Sequence, residues 1–144
     1  MGRPYSTDIT ALSETFKWAF SVKLPDLQRA VAAAAEFPMV YVGSGGSYTG
    51  GLLASQLHWQ MARKVSRVLT PLEAGAHGDW SNTAVILLSA GGNNPDVLGI
   101  FNYLLAAEPA VLGVICSRVG SKLNSRAPAP RRLLFKMDAE KLTG

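Results

Sequence analysis

Two short runs of small and hydroxyl-bearing residues constrain the fold of this chain more than any other feature. The first turn, Gly-Ser-Gly-Gly-Ser-Tyr at residues 43–48, follows the β-branched and aromatic run 39–42. The second turn, Ser-Ala-Gly-Gly-Asn-Asn-Pro-Asp at residues 89–96, follows the apolar run 83–88. In both places a short apolar strand passes through a turn into a helical pattern, which is typical of a parallel α/β sheet.

The remaining periodicities extend this pattern along the chain. Apolar positions at helical spacing predict helices over residues 8–20, 23–36, 48–64 and 97–107. Short apolar runs predict strands over residues 39–42, 65–69, 83–88 and 111–116, and a fifth over 132–137. We therefore predict an α/β fold, a doubly wound, flavodoxin-like three-layer α-β-α sandwich. Its parallel sheet has five strands, or four if the last is truncated.

Length and composition narrow the class of protein. A chain of 144 residues with 48% hydrophobic and 17% charged residues is expected to form one globular domain over residues 1–144. The longest apolar run, 104–116, is interrupted by Glu108 and Pro109, so we expect no membrane span and a cytoplasmic location. Cys116 is the only cysteine and lies in an apolar run, which predicts a buried thiol and excludes a disulfide framework.

The charge pattern favours a small anionic ligand over nucleic acid. The formal charge is +4, and seven basic residues fall in the last quarter of the chain: Arg118, Lys122, Arg126, Arg131, Arg132, Lys136 and Lys141. Phe135 is the only aromatic residue that interleaves with them, which is too few for a platform that stacks on bases. The excess therefore suits an anionic metabolite or a solvated face.

Both turns have the chemistry of an anion site. Free backbone N–H groups and the positive end of a helix dipole face outward where a strand turns into a helix. The candidate phosphate-binding residues are Ser44, Gly45, Gly46 and Ser47 in the first turn, and Ser89, Gly91, Gly92, Asn93 and Asn94 in the second. Ligands of open α/β sheets bind beyond the carboxyl ends of the strands, so both turns are expected to line one crevice. The alternative is that Ser, Asn and Gly merely cap two helices.

Two familiar phosphate-binding motifs do not fit the first turn. The dinucleotide fingerprint G-x-G-x-x-G matches at Gly43 and Gly45 but has Tyr48 at the third glycine. A P-loop requires Gly-Lys-Ser/Thr, whereas this sequence has Gly50 and Gly51 followed by leucine. The turn therefore predicts neither a dehydrogenase nor a nucleotide hydrolase, and neither a cofactor nor a metal is expected.

Taken together, the two turns resemble those of the SIS (sugar isomerase) domain family. The family's G-x-G-[ST]-S turn matches residues 43–47, which places Ser47 on the phosphate-contacting serine. Its S-x-S-G-x-T-x-[DE] turn matches residues 89–96, except that Gly91 replaces a phosphate-binding serine and Asn94 a threonine. Weaker matches are the glutamate after a strand end, at Glu73, and the Gly-Ser-x-Leu segment at residues 120–123.

The resemblance implies a phosphosugar-binding protein that pairs with a second copy or with further domains. It also implies aldose-ketose isomerisation by a glutamate base, for which Glu140 is the candidate catalytic residue. The helix that normally covers the sheet is expected to be missing, since the sequence ends at Gly144, so a longer chain or a partner would complete the edge. The alternative function is a non-catalytic sensor or oligomerisation module that binds a sugar phosphate or nucleotide.

Overall fold

The computed structural model of the chain describes residues 5–21, 23, 25–118, 120–126 and 134–138. Its helices are α1 (Tyr5–Ser21), α2 (Pro25–Ala34), α3 (Gly46–Ala62), α4 (Pro71–Gly75), α5 (Pro95–Ala107) and α6 (Lys122–Arg126). Its strands are β1 (Met39–Val42), β2 (Ser66–Leu69), β3 (Ala84–Ser89), β4 (Val111–Cys116) and β5 (Leu134–Asp138). In the described part of the chain, no helix is both long and apolar enough to cross a membrane.

The five strands form one parallel sheet in the order β2-β1-β3-β4-β5. Strand β1 pairs with β2 on one side and β3 on the other, with Val42 opposite both Leu69 and Leu87. From β1 the chain crosses to β2 at one edge and then returns past β1 to β3. The order of the strands therefore reverses between β1 and β3, which is where open α/β sheets leave a crevice.

Each face of the sheet supports its own core because side chains alternate along a strand. Val40, Val42, Val85 and Leu87 point toward α4 and α5 and form the larger core. On the opposite face, Met39, Tyr41, Ala84 and Ile86 contact residues of α2 and α3. The predicted three-layer α-β-α arrangement is confirmed, with five strands present.

Helix α3 approaches the sheet closely through a glycine. A Cβ atom at Gly51 would lie 3.0 Å from Cγ1 of Val68 and 3.3 Å from Cβ of Tyr41. In the dinucleotide fingerprint the third glycine allows this approach, and here Gly51 does so one turn later. The occupation of that fingerprint position by Tyr48 is therefore compatible with tight helix packing.

The predicted helix boundaries need correction: α2 spans Pro25–Ala34 and not 23–36, and α3 spans Gly46–Ala62 and not 48–64. Helix α1 begins at Tyr5 and not at residue 8, and α5 begins at Pro95 because Asn94 caps it and proline fits the first helical position. Two short helices, α4 and α6, were not predicted because five residues are too few to show a helical period. The expected loss of a C-terminal covering helix stays a prediction, since residues 139–144 lie outside the described part.

Candidate functional site

The two turns leave neighbouring parallel strands at the same edge of the sheet. The first turn follows β1 and the second follows β3, and the two strands pair from Met39 with Ala84 to Val42 with Leu87. A Cβ atom at Gly43 would lie 3.2 Å from the carbonyl oxygen of Leu88, so the first turn touches the end of β3. The sequence-predicted candidates of both turns are thus brought together at the point where the strand order reverses.

The first turn leaves the N-terminus of α3 open. Gly45 is the N-cap of α3 with φ 55° and ψ −129°, and it offers no side-chain cap. Inside the turn, the N–H of Ser47 donates to the carbonyl of Ser44 at 3.2 Å. Among the described residues, the N–H groups of Gly45, Gly46 and Tyr48 have no hydrogen-bond partner. These N–H groups lie at the N-terminus of the 17-residue helix α3, which is the positive end of its dipole. This arrangement favours the binding of an anion.

The two serine hydroxyls of the first turn are also unoccupied. Ser44 is exposed and Ser47 is half-buried. Within the described part of the chain, neither hydroxyl makes a hydrogen bond. Serine at a helix start usually caps the helix. Since these serines do not cap α3, their hydroxyls are left available to a ligand.

The second turn, in contrast, uses much of its hydrogen-bonding capacity within the protein itself. The N–H of Gly92 donates to Oγ of Ser89 at 3.0 Å, and Ser89 is buried. Oδ1 of Asn94 caps α5 by accepting from the N–H groups of Asp96 at 2.8 Å and Val97 at 3.4 Å. A role of the Gly92 N–H in anion binding stays a prediction, and in this arrangement that N–H already donates a hydrogen bond to Ser89.

The segment that follows β4 locks the second turn in place. Oδ1 of Asn93 accepts from the N–H of Lys122 at 2.9 Å, and the carbonyl of Gly92 accepts from Leu123 at 2.9 Å. A Cβ atom at Gly92, where φ is +60°, would collide with Oγ of Ser121 and lie 2.7 Å from Sγ of Cys116. Cys116 is buried, as its sequence position predicts. Residues 120–123 therefore hold the second turn in its conformation.

Some polar groups of the second turn remain open to the crevice. In the part of the chain that the structure describes, the N–H of Gly91 has no partner, and a Cβ atom there would meet nothing within 4 Å. The Nδ2 groups of Asn93 and Asn94 are likewise unpaired there, since both amides use only Oδ1. The second turn thus offers amide donors where the family has serine and threonine hydroxyls.

Glu73 lies in α4, directly after edge strand β2, with its carboxylate already occupied. Oε2 accepts from the N–H of Thr70 at 2.7 Å and from its hydroxyl at 2.8 Å, while the Thr70 hydroxyl accepts from the Glu73 N–H at 3.3 Å. These bonds form a capping box and hold the pKa of Glu73 below its usual value. The Thr-x-x-Glu spacing was the sequence signal for this role.

Neither histidine contacts the turns. His58 is buried on α3, and its Nε2 lies 3.2 Å from the carbonyl oxygen of Phe37. Nδ1 of His77 lies 3.1 Å from Nη2 of Arg67, and its ring packs edge-on against Trp80 at 4.5 Å. Glu140, the predicted catalytic base, lies outside the described residues.

Two hydroxyls that flank the second turn had little signal in the sequence. Oγ of Ser117 donates to the carbonyl of Ala90 at 2.9 Å, and Oγ of Ser121 lies 3.4 Å from Sγ of Cys116. Both residues follow β4, which is the next strand after β3 in the sheet. Their only signal was this position beyond the carboxyl end of a parallel strand.

Comparisons with solved structures identify the same fold in sugar-phosphate proteins. Tagatose-6-phosphate ketose/aldose isomerase from Escherichia coli matches 94% of this chain with a TM-score of 0.63 and 15% identity. The C-terminal domain of glucosamine-fructose-6-phosphate aminotransferase from Francisella tularensis matches 78% with a TM-score of 0.61 and 18% identity. A protein of E. coli CFT073, solved in complex with a sugar phosphate, matches 94% with a TM-score of 0.56 and 18% identity.

This chain spans 37%, 31% and 71% of those three chains, respectively. No protein-family model and no curated protein sequence matches it. At 15–18% identity the likeness establishes the fold. The α/β fold that the sequence predicts is therefore confirmed, and these proteins share it.

Proposed function

We propose that this chain is an SIS domain that binds a phosphorylated sugar or a related carbohydrate derivative, with the phosphate seated on the first turn. The observation that carries the proposal is the uncapped N-terminus of α3. Its N–H groups at Gly45, Gly46 and Tyr48 and the hydroxyls of Ser44 and Ser47 have no partner among the described residues. A phosphate accepts hydrogen bonds from such donors without needing a charged side chain.

The second turn completes the crevice from the side of β3. Because Ser89, Asn93 and Asn94 already accept bonds within the protein, this turn is rigid and presents the Gly91 N–H and two amide Nδ2 groups. Such neutral donors suit the remaining phosphate oxygen or the sugar hydroxyls. The first turn therefore contributes most of the affinity for the anion, and the second contributes to its orientation.

Binding without turnover, as in a sensor or an assembly module, is the second candidate function. The observation that favours it is the state of Glu73, whose carboxylate is held by Thr70 with a lowered pKa. A general base works best with a pKa near the operating pH, so a carboxylate stabilised in its charged form is a weak base. Glu140 remains the candidate base if the chain isomerises its ligand, and we expect no metal or cofactor for either function.

The expected partners are thus an anionic sugar metabolite and a second copy or further domains, not nucleic acid or a membrane. The first turn, residues 43–48, contains no charged side chain, and it suits a small ligand better than a polyanion. The cytoplasmic location and the single-domain organisation stay predictions.

Isothermal titration of the full chain tests the proposal. The ligands are arabinose-5-phosphate, glucosamine-6-phosphate, inorganic phosphate and a nucleotide, with the unphosphorylated sugars as controls. We expect the phosphorylated sugars to bind and the free sugars not to bind. Ser47→Ala should weaken binding about tenfold or more, the usual loss for a hydrogen bond to a charged group. Ser21→Ala is the matched control, because that hydroxyl bonds only to Trp18 in its own helix.

Two results would contradict the proposal: no phosphorylated ligand binds, or Ser47→Ala binds as tightly as the parent. A coupled assay for aldose-ketose interconversion then separates the two functions. Turnover that Glu140→Gln abolishes identifies an isomerase, whereas binding without turnover identifies a sensor.

A further inference from the structure

Two basic residues lie beyond the carboxyl end of β4, beside the second turn. Arg118 follows the strand by two positions, Lys122 opens α6, and both are exposed. Among the described residues, neither side chain forms a hydrogen bond or an ion pair. The second turn contains a single acidic residue, Asp96, which is also exposed. Two positive charges are therefore available to a molecule that enters the crevice from the side of β4.

Hydrogen bonds hold the backbone around these two cations against the second turn. Oγ of Ser117, the residue before Arg118, donates to the carbonyl of Ala90 at 2.9 Å. The N–H of Lys122 donates to Oδ1 of Asn93, also at 2.9 Å. The main chain at both positions is thus fixed next to the turn, while the charged ends of the side chains remain free to reach a ligand. A site that is held in place before binding loses less conformational entropy when its ligand arrives.

The phosphate of the proposed function does not need these two charges. The first turn offers three N–H groups and two hydroxyls without a partner among the described residues. These neutral donors suffice for the three terminal oxygens of one phosphate, since a helix start binds phosphate without a charged side chain. The cations beyond β4 are therefore left over for a second anionic group.

We infer that the crevice takes a sugar with an anionic group at each end: a phosphate on the first turn and a second phosphate or a carboxylate on Arg118 and Lys122. This inference rests on the proposed function and names the ligand class of the same crevice. A guanidinium binds either group through two parallel hydrogen bonds, and an ammonium adds a compact point charge.

The order of the strands sets a distance that such a sugar can span. Strands β1, β3 and β4 are consecutive in the sheet. Neighbouring strands are about 4.7–4.9 Å apart, so the first turn and the end of β4 are separated by roughly 9–10 Å. A hexose that carries anionic groups on its first and last carbons has about this reach. A Cβ atom at Gly91, on the intervening turn, would meet nothing within 4 Å, which leaves room for the sugar.

Isothermal titration of the full chain at about 50 mM salt tests the inference, because low salt preserves the attraction between exposed charges. The probes are glucose-1,6-bisphosphate, fructose-1,6-bisphosphate and 6-phosphogluconate, and the references are glucose-6-phosphate and fructose-6-phosphate. We expect a doubly anionic probe to bind about tenfold or more tightly than the monophosphates, the usual gain from hydrogen bonds to a charged group. An advantage of the bisphosphates alone identifies a second phosphate, and one of 6-phosphogluconate alone identifies a carboxylate.

Variants locate the second anionic group. Arg118→Gln and Lys122→Gln should each lose most of the tenfold advantage, with a much smaller effect on the monophosphates. Ser47→Ala should weaken the binding of both kinds of ligand, since it acts on the phosphate that they share. Lys64→Gln is the matched control, because it removes the same charge from an exposed lysine between α3 and β2, at the amino ends of the strands. Circular dichroism checks that each variant is folded.

The results separate this inference from the proposed function. Equal affinities for the doubly anionic probes and the monophosphates overturn the inference and leave the phosphate site of the first turn standing. No binding of any phosphorylated probe overturns both. If Lys64→Gln loses as much of the advantage as Arg118→Gln and Lys122→Gln, the preference comes from the net charge of the protein, and the inference is wrong.

Discussion

Oγ of Ser89 accepts a 3.0 Å hydrogen bond from the backbone N–H of Gly92, and this contact separates the roles of the two turns. It closes the second turn on itself at the end of β3, while the N–H groups of Gly45 and Gly46 in the first turn have no partner among the described residues. The two turns have similar compositions, so the difference in their hydrogen bonding arises from the residues that surround each turn. The segment 120–123 donates two backbone hydrogen bonds to the second turn, from Lys122 to Asn93 and from Leu123 to Gly92.

The Ser89→Ala substitution should therefore reduce stability more than ligand affinity. Without the hydroxyl, the Gly92 N–H is left without its acceptor in a buried turn, which costs about 1–3 kcal/mol. Urea unfolding measures this loss, and Ser44→Ala, which removes an exposed and unbonded hydroxyl, is the control. An equal effect of the two substitutions on the free energy of unfolding would contradict the assigned roles.

Two adjacent glycines of the first turn should respond oppositely to alanine. Gly45 has φ 55° and ψ −129°, a conformation that is strained for other residues, so Gly45→Ala should destabilise the protein by about 1–3 kcal/mol. Gly46 opens α3 with ordinary backbone angles and free space around its Cβ position, so Gly46→Ala should stabilise by about 0.4–1 kcal/mol. Thermal unfolding of both variants checks the opposite signs.

Close packing of α3 on the sheet predicts a similar contrast at Gly51. Gly51→Ala would press a methyl group against Val68 and Tyr41, which should cost about 1–3 kcal/mol. Gly99 lies within α5 with nothing near its Cβ position, and Gly99→Ala should stabilise the protein by about 1 kcal/mol through helix propensity. Denaturant titration measures both, and a neutral Gly51→Ala would show that α3 can shift outward freely.

The capping box of α4 predicts an acid-dependent loss of stability. Two hydrogen bonds from Thr70 lower the pKa of Glu73 in the folded protein from its usual 4.5, so the charged carboxylate stabilises the fold above that pH. This contribution is lost as the pH falls from about 4.5 through the lower pKa of the folded state. The melting temperatures of the parent and Glu73→Gln should therefore converge as the pH is lowered from about 6 to about 3.

The Thr70→Ser variant retains both donors of the capping box and is the matched control. Its melting temperature should follow the pH dependence of the parent. A constant difference between the parent and Glu73→Gln at every pH would indicate that the charge of the carboxylate plays no part in the cap.

The order of the elements and the position of the two turns were determined by the sequence alone. Short apolar strands, helical spacing and the Gly-Ser and Gly-Asn turns are local signals, and they predicted a parallel sheet with both turns at one edge. That prediction is confirmed at β1 and β3, which are neighbours in the sheet. The resemblance to the SIS domain family predicted the type of α/β fold. It also rests on local signals, because the family's motifs are these two turns.

Only the tertiary structure decided which polar groups of the two turns are free to bind a ligand. Asn93 accepts from Lys122, which is 29 residues away in the chain, and Gly92 packs against Ser121 and Cys116. A local sequence pattern does not predict such long-range contacts, because the two partners of each hydrogen bond meet only after the strands have formed the sheet. The anion site that the sequence predicts over both turns stays a prediction, and the donors without a partner among the described residues lie mainly at the start of α3.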